Sequence, residues 1–204
     1  MAANRRVVII IYFTMVVGKC VAVGDHNVGK SALLITRHSE AFPLDYVPKT
    51  SEVVTVKEDN GVCLGLWDTR EVEFGYSRLR PLSYPGTDVF LICYSVVERN
   101  SFTNAAVKWQ EEVSHHCPGV PFVLVGTKLD LRDDSKVIAS LRERNLEPVS
   151  FEEGLAQAQQ MGATAYCEVS SITYKGVRGL FRHVSNITLR EHVGSRAEGN
   201  CLVL

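Results

Sequence analysis

Short apolar runs alternate along the chain with stretches whose apolar residues recur every three or four positions. The runs are rich in β-branched and aromatic residues, which suit a pleated, half-buried surface. They predict strands over Val16–Val23, Val53–Lys57, Val62–Trp67, Val89–Tyr94, Phe122–Val125 and Ala165–Val169. Glu58-Asp59-Asn60-Gly61 lies between the second and third runs and is a turn signal that makes them a hairpin. Helical spacing predicts helices over Lys30–His38, Arg78–Leu82, Ser101–His115, Phe151–Met161 and Val177–Arg190. A short charged helix is expected near Ser135–Arg144. In the last long helix Val177, Leu180, Phe181, Val184 and Ile187 share one face, which predicts that this face is buried. Strands alternating with helices imply an α/β fold: an open, six-stranded, mostly parallel sheet with helices on both faces. Ligands of such sheets bind beyond the carboxyl ends of the strands, so the loops there are the first places to seek chemistry.

Composition narrows the reading. A chain of 204 residues is one domain by length, and 46% apolar content suffices for one core. The net charge is −1 with no long basic block, so no nucleic-acid partner is expected. Six scattered cysteines form no CxxC pair, which argues against a zinc framework and fits a reducing compartment. Cys20 and Cys93 read as strand-core residues. His115-His116-Cys117 reads as a solvated helix end, because adjacent helical residues do not share a face. Asn186-Ile187-Thr188 matches a glycosylation pattern by chance, inside a predicted helix. At the start, Arg5 and Arg6 precede an apolar run, Val7–Val17, too short for a membrane span. It has the length of a signal-peptide core, but no small-x-small cleavage site follows. It reads first as an extended first strand; a start at Met15 and a membrane-inserting signal are the alternatives. Residues 1–14 are therefore an extension of uncertain status, 15–191 the domain, and 192–204 the tail.

The loop after the first strand carries the strongest motif. Gly24-Asp25-His26-Asn27-Val28-Gly29-Lys30-Ser31 matches GxxxxGK[ST] between a strand and a helix. Glycines let the backbone curl so that N–H groups face phosphate oxygens, and the helix N-terminus adds its positive end. Lys30 is expected to reach the β- and γ-phosphates, and the Ser31 hydroxyl to bind Mg²⁺. Three later strand ends extend the pattern. Asp68, in Trp67-Asp68-Thr69, is placed to hold Mg²⁺ through water. Asp130, in Gly126-Thr127-Lys128-Leu129-Asp130, can accept from guanine N1 and N2 together, a pairing adenine cannot offer. Lys128 can lie across the base. Ser170-Ser171, after the sixth strand, offers a backbone N–H from Ser171 to guanine O6.

With these motifs in this order, the chain resembles the Rho family of small GTPases, most closely its Rac-like branch, from about Met15 to Leu204. "LRPLSYPGTDVFLICYSV", "SHHCPGVP", "VLVGTKLDLRDD" and the C-terminal "CLVL" carry the likeness. The resemblance implies a P-loop, small G-protein fold with a Rho-type insert near 133–145. It implies a guanine-nucleotide switch that exchanges GDP for GTP with Mg²⁺ as cofactor and rearranges two loops. By position Phe42 packs near the guanine, and Thr50, or Lys49 under another gap placement, takes the place of the threonine that binds Mg²⁺ with GTP. Trp67 matches a position through which Rac-like members meet exchange factors. The implied partners are exchange factors, GTPase-activating proteins, a guanine dissociation inhibitor and effectors.

The chain departs from this family at the residues that matter for hydrolysis. The family pattern Asp-Thr-Ala-Gly-Gln-Glu reads here Asp68-Thr69-Arg70-Glu71-Val72-Glu73. Val72 stands at the position of the water-orienting glutamine and has no hydrogen-bonding side chain. Glu71 replaces a glycine whose N–H meets the γ-phosphate, and its carboxylate repels that anion. His26 replaces a glycine against the γ-phosphate and crowds the path of an activating arginine. Hydrolysis of this class is positioning plus charge stabilisation, so slow turnover is expected and no catalytic residue is assigned. "SEVVTV", after Pro48, is shorter than the family's first switch and lacks its effector-reading residues.

Cys201-Leu202-Val203-Leu204 is a C-a-a-X ending whose terminal leucine favours geranylgeranylation of Cys201. A cytoplasmic, peripheral membrane location follows as an expectation. From Arg190 onward there are two arginines against two glutamates, so the second, basic signal is weak. Two functions compete: a GTP/GDP switch with impaired hydrolysis, and a pseudo-GTPase that serves as a binding scaffold.

Overall fold

The computed structural model describes residues 16–43, 53–69 and 77–199. The strands are β1 (Val17–Gly24), β2 (Val53–Lys57), β3 (Cys63–Asp68), β4 (Val89–Ser95), β5 (Phe122–Thr127) and β6 (Ala165–Glu168). They form one sheet in the order β2-β3-β1-β4-β5-β6. Only the β2–β3 pairing is antiparallel; this is the hairpin turned by the Glu58–Gly61 stretch, where Gly61 N donates to Glu58 O at 2.9 Å. The remaining pairings are parallel.

The helices are α1 (Lys30–Ser39), α2 (Arg99–Asn104), α3 (Glu111–His116), α4 (Ser135–Arg142), α5 (Phe151–Met161) and α6 (Val177–Gly199). Every residue of β4 and β5 is buried. The reason is that both sheet faces are covered, so a central parallel strand has no polar side. Leu91 and Cys93 pack with residues of α1 and α6 on one face; Phe90, Ile92 and Tyr94 pack with Trp109, Val113 and Ala158 on the other. Val177, Leu180, Phe181, Val184 and Ile187 do form the buried face of α6.

Three elements differ from their sequence reading. The expected helix over Arg78–Leu82 is a 3₁₀ helix, Ser77–Ser83, with Pro81 inside it. Proline has no N–H to donate, which suits a short, tight turn better than an α-helix. The expected helix over Ser101–His115 is three joined pieces, because a π-helical stretch, Ala105–Gln110, separates α2 from α3. The last helix continues past Arg190 to Gly199, through the stretch read as a tail. Single glycines weaken but do not end a helix, and Glu191, Arg196, Ala197 and Glu198 are good helix formers. The short charged helix is α4, capped by Asp134, whose carboxylate accepts from Lys136 N and Val137 N. Residues 1–14, and with them most of the Val7–Val17 run, lie outside the described residues.

One buried ion pair locks α1 to the β2–β3 hairpin. Arg37 Nη2 lies 2.7 Å and Nε 3.1 Å from Glu58 Oε1, with side chains 9% and 4% exposed. Removing one partner leaves a buried charge uncompensated, which costs about 3–5 kcal/mol. Glu58→Ala is therefore expected to lower stability by about 3 kcal/mol, seen as a lower urea midpoint at unchanged slope. A midpoint equal to the parent's would remove this pair from the fold's supports.

Candidate nucleotide-binding site

The first strand ends where its backbone can go only one way. A Cβ on Gly24 would lie 2.2 Å from the carbonyl oxygen of Cys93 on β4, and φ at Gly24 is 145°. Only glycine permits that approach. The loop then turns through Asn27 at φ 58° and Gly29 at φ 101°. Asparagine tolerates the left-handed region better than most residues, so Asn27 fits the loop's backbone rather than obstructing it. His26 and Asn27 are both exposed, whereas Val28 is fully buried.

Lys30 opens α1 and is 6% exposed. Its ammonium donates to Gly24 O and to Asp25 O, each at 2.7 Å. The loop thus closes into a ring around a buried cation at a helix N-terminus, an arrangement that attracts phosphate. The Asp25 carboxylate points away from that ring: Oδ2 accepts from Asn104 Nδ2 at 2.7 Å and Oδ1 from Trp109 Nε1 at 2.8 Å.

Ser31 Oγ, in the first turn of α1, donates to Asp68 Oδ2 at the end of β3 at 2.5 Å, so two of the three expected metal residues meet. A hydroxyl and a carboxylate are hard oxygen donors of the kind Mg²⁺ takes, with water and phosphate oxygens completing its shell. Among the described residues no group of three His, Cys, Asp or Glu could hold a metal by itself. Ser31 and Asp68 would therefore hold the ion only together with the phosphates it neutralises. Thr50, Lys49, Glu71 and Val72 lie outside the described residues.

The base side is built from two loops that hold each other. Thr127 ends β5, and its hydroxyl lies against Val28 O and, at 2.8 Å, Tyr94 O. Lys128 follows at φ 56°, and a Cβ built on Gly29 would lie 4.0 Å from its Cε, so the Lys128 side chain passes close to the phosphate loop. Asp130 sits in a 3₁₀ turn, Leu129–Leu131, and its Oδ1 accepts from Ser170 Oγ at 2.5 Å. Ser170 Oγ in turn accepts from Thr173 N at 3.1 Å, and Leu129 N donates to Val169 O at 3.1 Å. Ser171 begins the turn that follows, half-buried. Phe42 is also half-buried, two residues beyond Glu40, the left-handed C-cap of α1.

A support beneath these loops had no sequence signal. Arg132 forks onto Glu168, with Nη1 to Oε2 at 2.6 Å, while its Nε donates to Val149 O at 3.0 Å. Tyr166 OH donates to Glu168 Oε1 at 2.6 Å and meets Tyr94 OH at 2.7 Å. The hydrogen bonds that Arg132 donates to Glu168 hold its guanidinium above the ordinary range. Burial pushes the Tyr166 and Tyr94 hydroxyls up, so both stay protonated and serve as bridges. The cysteines near the sheet ends are not nucleophiles: burial raises Cys93 to about 12 and Cys167 to about 11.

Trp67, at the end of β3, has the Lys19 ammonium 4.1 Å from its ring centroid. Burial holds Lys19 below the ordinary lysine range. Positions read from the motifs thus meet in space as three candidate sub-sites: the loop ring around Lys30, the Ser31–Asp68 pair and the Asp130–Ser170 pair. Asn104, Trp109, Arg132 and Glu168 escaped sequence reading because their partners are 36 to 84 residues away. The model of the Ras family matches residues 19–190, a span that includes all three sub-sites. The chain therefore belongs to the Ras family and is a small GTP-binding protein.

Proposed function

We propose that this protein is a Rho/Rac-like switch that binds GDP and GTP with Mg²⁺ and hydrolyses GTP slowly. The observation that carries the reading is the joint placement of Lys30 in the phosphate ring, Ser31 against Asp68, and Asp130 against Ser170. Ser31 and Asp68 would hold Mg²⁺, which would supply neutralisation of phosphate charge there. The chain's own residues do the rest. Lys30 and the loop N–H groups hold the phosphates, Ser31 and Asp68 place the ion, and Asp130 selects the base.

The Rho/Rac assignment is supported by α4 (Ser135–Arg142), which lies where that branch carries its insert. It is also supported by "LRPLSYPGTDVFLICYSV" and the Cys201-Leu202-Val203-Leu204 ending. On this reading exchange factors approach Trp67, and activating proteins, effectors and a dissociation inhibitor are further partners. Cys201 lies outside the described residues; its geranylgeranylation would seat the protein on the cytoplasmic face of a membrane. One feature favours a pseudo-GTPase scaffold instead: the stretch after Pro48 is short and lacks the family's effector-reading residues. Chromatography of nucleotide released from the denatured, purified protein separates the two. A scaffold carries none, and a slow switch carries GTP or GDP.

Asp130→Asn is expected to weaken binding of both GTP and GDP and to shift selection toward xanthine nucleotides, which present a matching acceptor. Loss of one charge-assisted pairing predicts roughly tenfold or more. Equal GTP affinity in mutant and parent, by competition titration, would defeat the guanine assignment.

Hydrolysis is expected to stay slow even with a Rac-type activating protein. The ratio of GTP to GDP affinity should not exceed that of an ordinary Rho protein, because Glu71 repels the γ-phosphate. Restoring Gly at 26 and 71 and Gln at 72 together should recover activated turnover. Single reversions should recover little, because these groups act as a unit. A parent rate equal to a Rac-like control, in side-by-side single-turnover assays, contradicts this.

Cys201→Ser is expected to move the protein from the membrane to the cytosolic fraction, since no strong basic patch holds it there. Full retention on membranes would make the Val7–Val17 run the anchor.

A further inference from the structure

Asp25 is the one acid within the phosphate loop, Gly24–Ser31. A carboxylate beside a polyphosphate is unfavourable, and a few ångströms of displacement change that repulsion strongly. The carboxylate is gripped by two donors from a single helical segment, Asn104 Nδ2 at 2.7 Å and Trp109 Nε1 at 2.8 Å. Lys108 Nζ lies 4.0 Å from Oδ1 of the same group.

The geometry of that segment is unusual. Asn104 and Trp109 are five residues apart, which on an α-helix places side chains about 140° apart. Asn104 immediately precedes the π-helical stretch Ala105–Gln110 and Trp109 lies inside it, and the wider i→i+5 turn of that stretch brings residues five apart closer to one side. The π stretch is therefore what lets both donors reach one carboxylate. Trp109 is 1% exposed, so its indole N–H has little access to water as a substitute acceptor.

The same indole bears a second load. The Arg80 guanidinium lies 4.5 Å from the ring centroid. Arg80 is fixed there by Glu112, with Nε–Oε1 at 2.9 Å and Nη2–Oε2 at 2.6 Å, and Tyr84 OH also donates to Glu112. Arg80 belongs to the 3₁₀ helix Ser77–Ser83, which follows the altered Asp68–Glu73 stretch, the second switch among the two loops that the family resemblance implies rearrange.

We propose that the π-helical stretch is a clamp in which Asn104 and Trp109 are positioning residues. They hold the Asp25 carboxylate off the phosphate ring, and Arg80, stacked on Trp109, ties the clamp to the chain after the second switch. The proposal rests on the guanine-nucleotide reading for its kinetic consequence but not for the clamp itself. Arg80 thereby gives the second-switch segment a route to the phosphate loop that does not pass through the nucleotide.

The test uses the full chain and two readouts. The first is the indole ¹⁵N–¹H spectrum. The chain has two tryptophans, so Trp67 is an internal control for Trp109. Asp25→Ala is expected to move the Trp109 indole resonance and leave that of Trp67 in place. The second is release of a fluorescent GDP analogue under excess GTP. Asn104→Ala and Trp109→Phe should each speed release by roughly tenfold or more, as expected when a hydrogen bond to a charged group is lost. In an Asp25→Asn background, where no carboxylate charge is left to hold off, Asn104→Ala should speed release less than it does in the parent. Arg80→Ala should speed release less than Trp109→Phe. If Trp109→Phe does not fold, Asn104→Ala and Asp25→Ala carry the test. A Trp109 resonance indifferent to Asp25→Ala, or parent-like release in both Asn104→Ala and Trp109→Phe, overturns the clamp. A parent that binds no GDP defeats the guanine reading instead, and the indole shift then decides the clamp alone.

Discussion

A parallel sheet covered on both faces has little room for chemistry except at its strand ends. Here that constraint is severe. Every side chain of β4 and β5 is buried, so the polar groups of the site come from the loops that leave their carboxyl ends. Packing dictates even the shape of the phosphate loop. Gly24 must be glycine because β4 lies against it, with the Cys93 carbonyl where a Cβ would go. The loop's curl is thus a consequence of sheet spacing before it is an adaptation to phosphate. The site is preformed for the same reason.

The charges of the site show a second regularity. Lys30 sits on two loop carbonyls, Asp25 on Asn104 and Trp109, Asp68 on Ser31, and Asp130 on Ser170. Each functional charge is oriented by a protein partner. Buried or half-buried charges without such partners would cost several kcal/mol each. The arrangement keeps side chains near their working positions and limits the ordering that ligand binding requires. It also means that binding exchanges some hydrogen bonds for others, so net gains per contact are modest.

The order of strands and helices, the hairpin and the buried face of α6 were legible because they depend on local periodicity. The placement of Lys30, Ser31, Asp68 and Asp130 beside strand ends was legible too, since each stands at a fixed offset from one. What periodicity cannot show is a single change of helical pitch. Residues 101–115 read as one helix because the apolar spacing on either side of the π stretch is ordinary. Nor can it show which charges are buried together. Arg37 lies in a helix's last turn and Glu58 in a hairpin turn, with nothing in either neighbourhood to pair them, yet each is more than nine-tenths buried where they meet. Asp25 and Trp109 are 84 residues apart, and nothing in either neighbourhood announces the other. Pro81 could have signalled the 3₁₀ turn, because a proline there argues against an α-helix.

The phosphate and base sub-sites are mechanically one object. A single hydroxyl, Thr127 Oγ1, touches Val28 O of the phosphate loop and Tyr94 O of β4, and Thr127 is also where the base loop begins. Tyr94 continues through Tyr166 to Glu168 and Arg132 below the base, and Trp109 rests in the same core cluster as Tyr94. The residues that hold this framework are buried: Thr127 is 2% exposed, Trp109 1%, and Ser170 and Val28 are fully enclosed. His26, by contrast, is exposed at the tip of the loop. A substitution at the tip therefore meets solvent or ligand and leaves the cradle's supports untouched. The buried framework and the exposed loop tip are thus separate in packing, so the tip can change without loosening what holds the loop in shape.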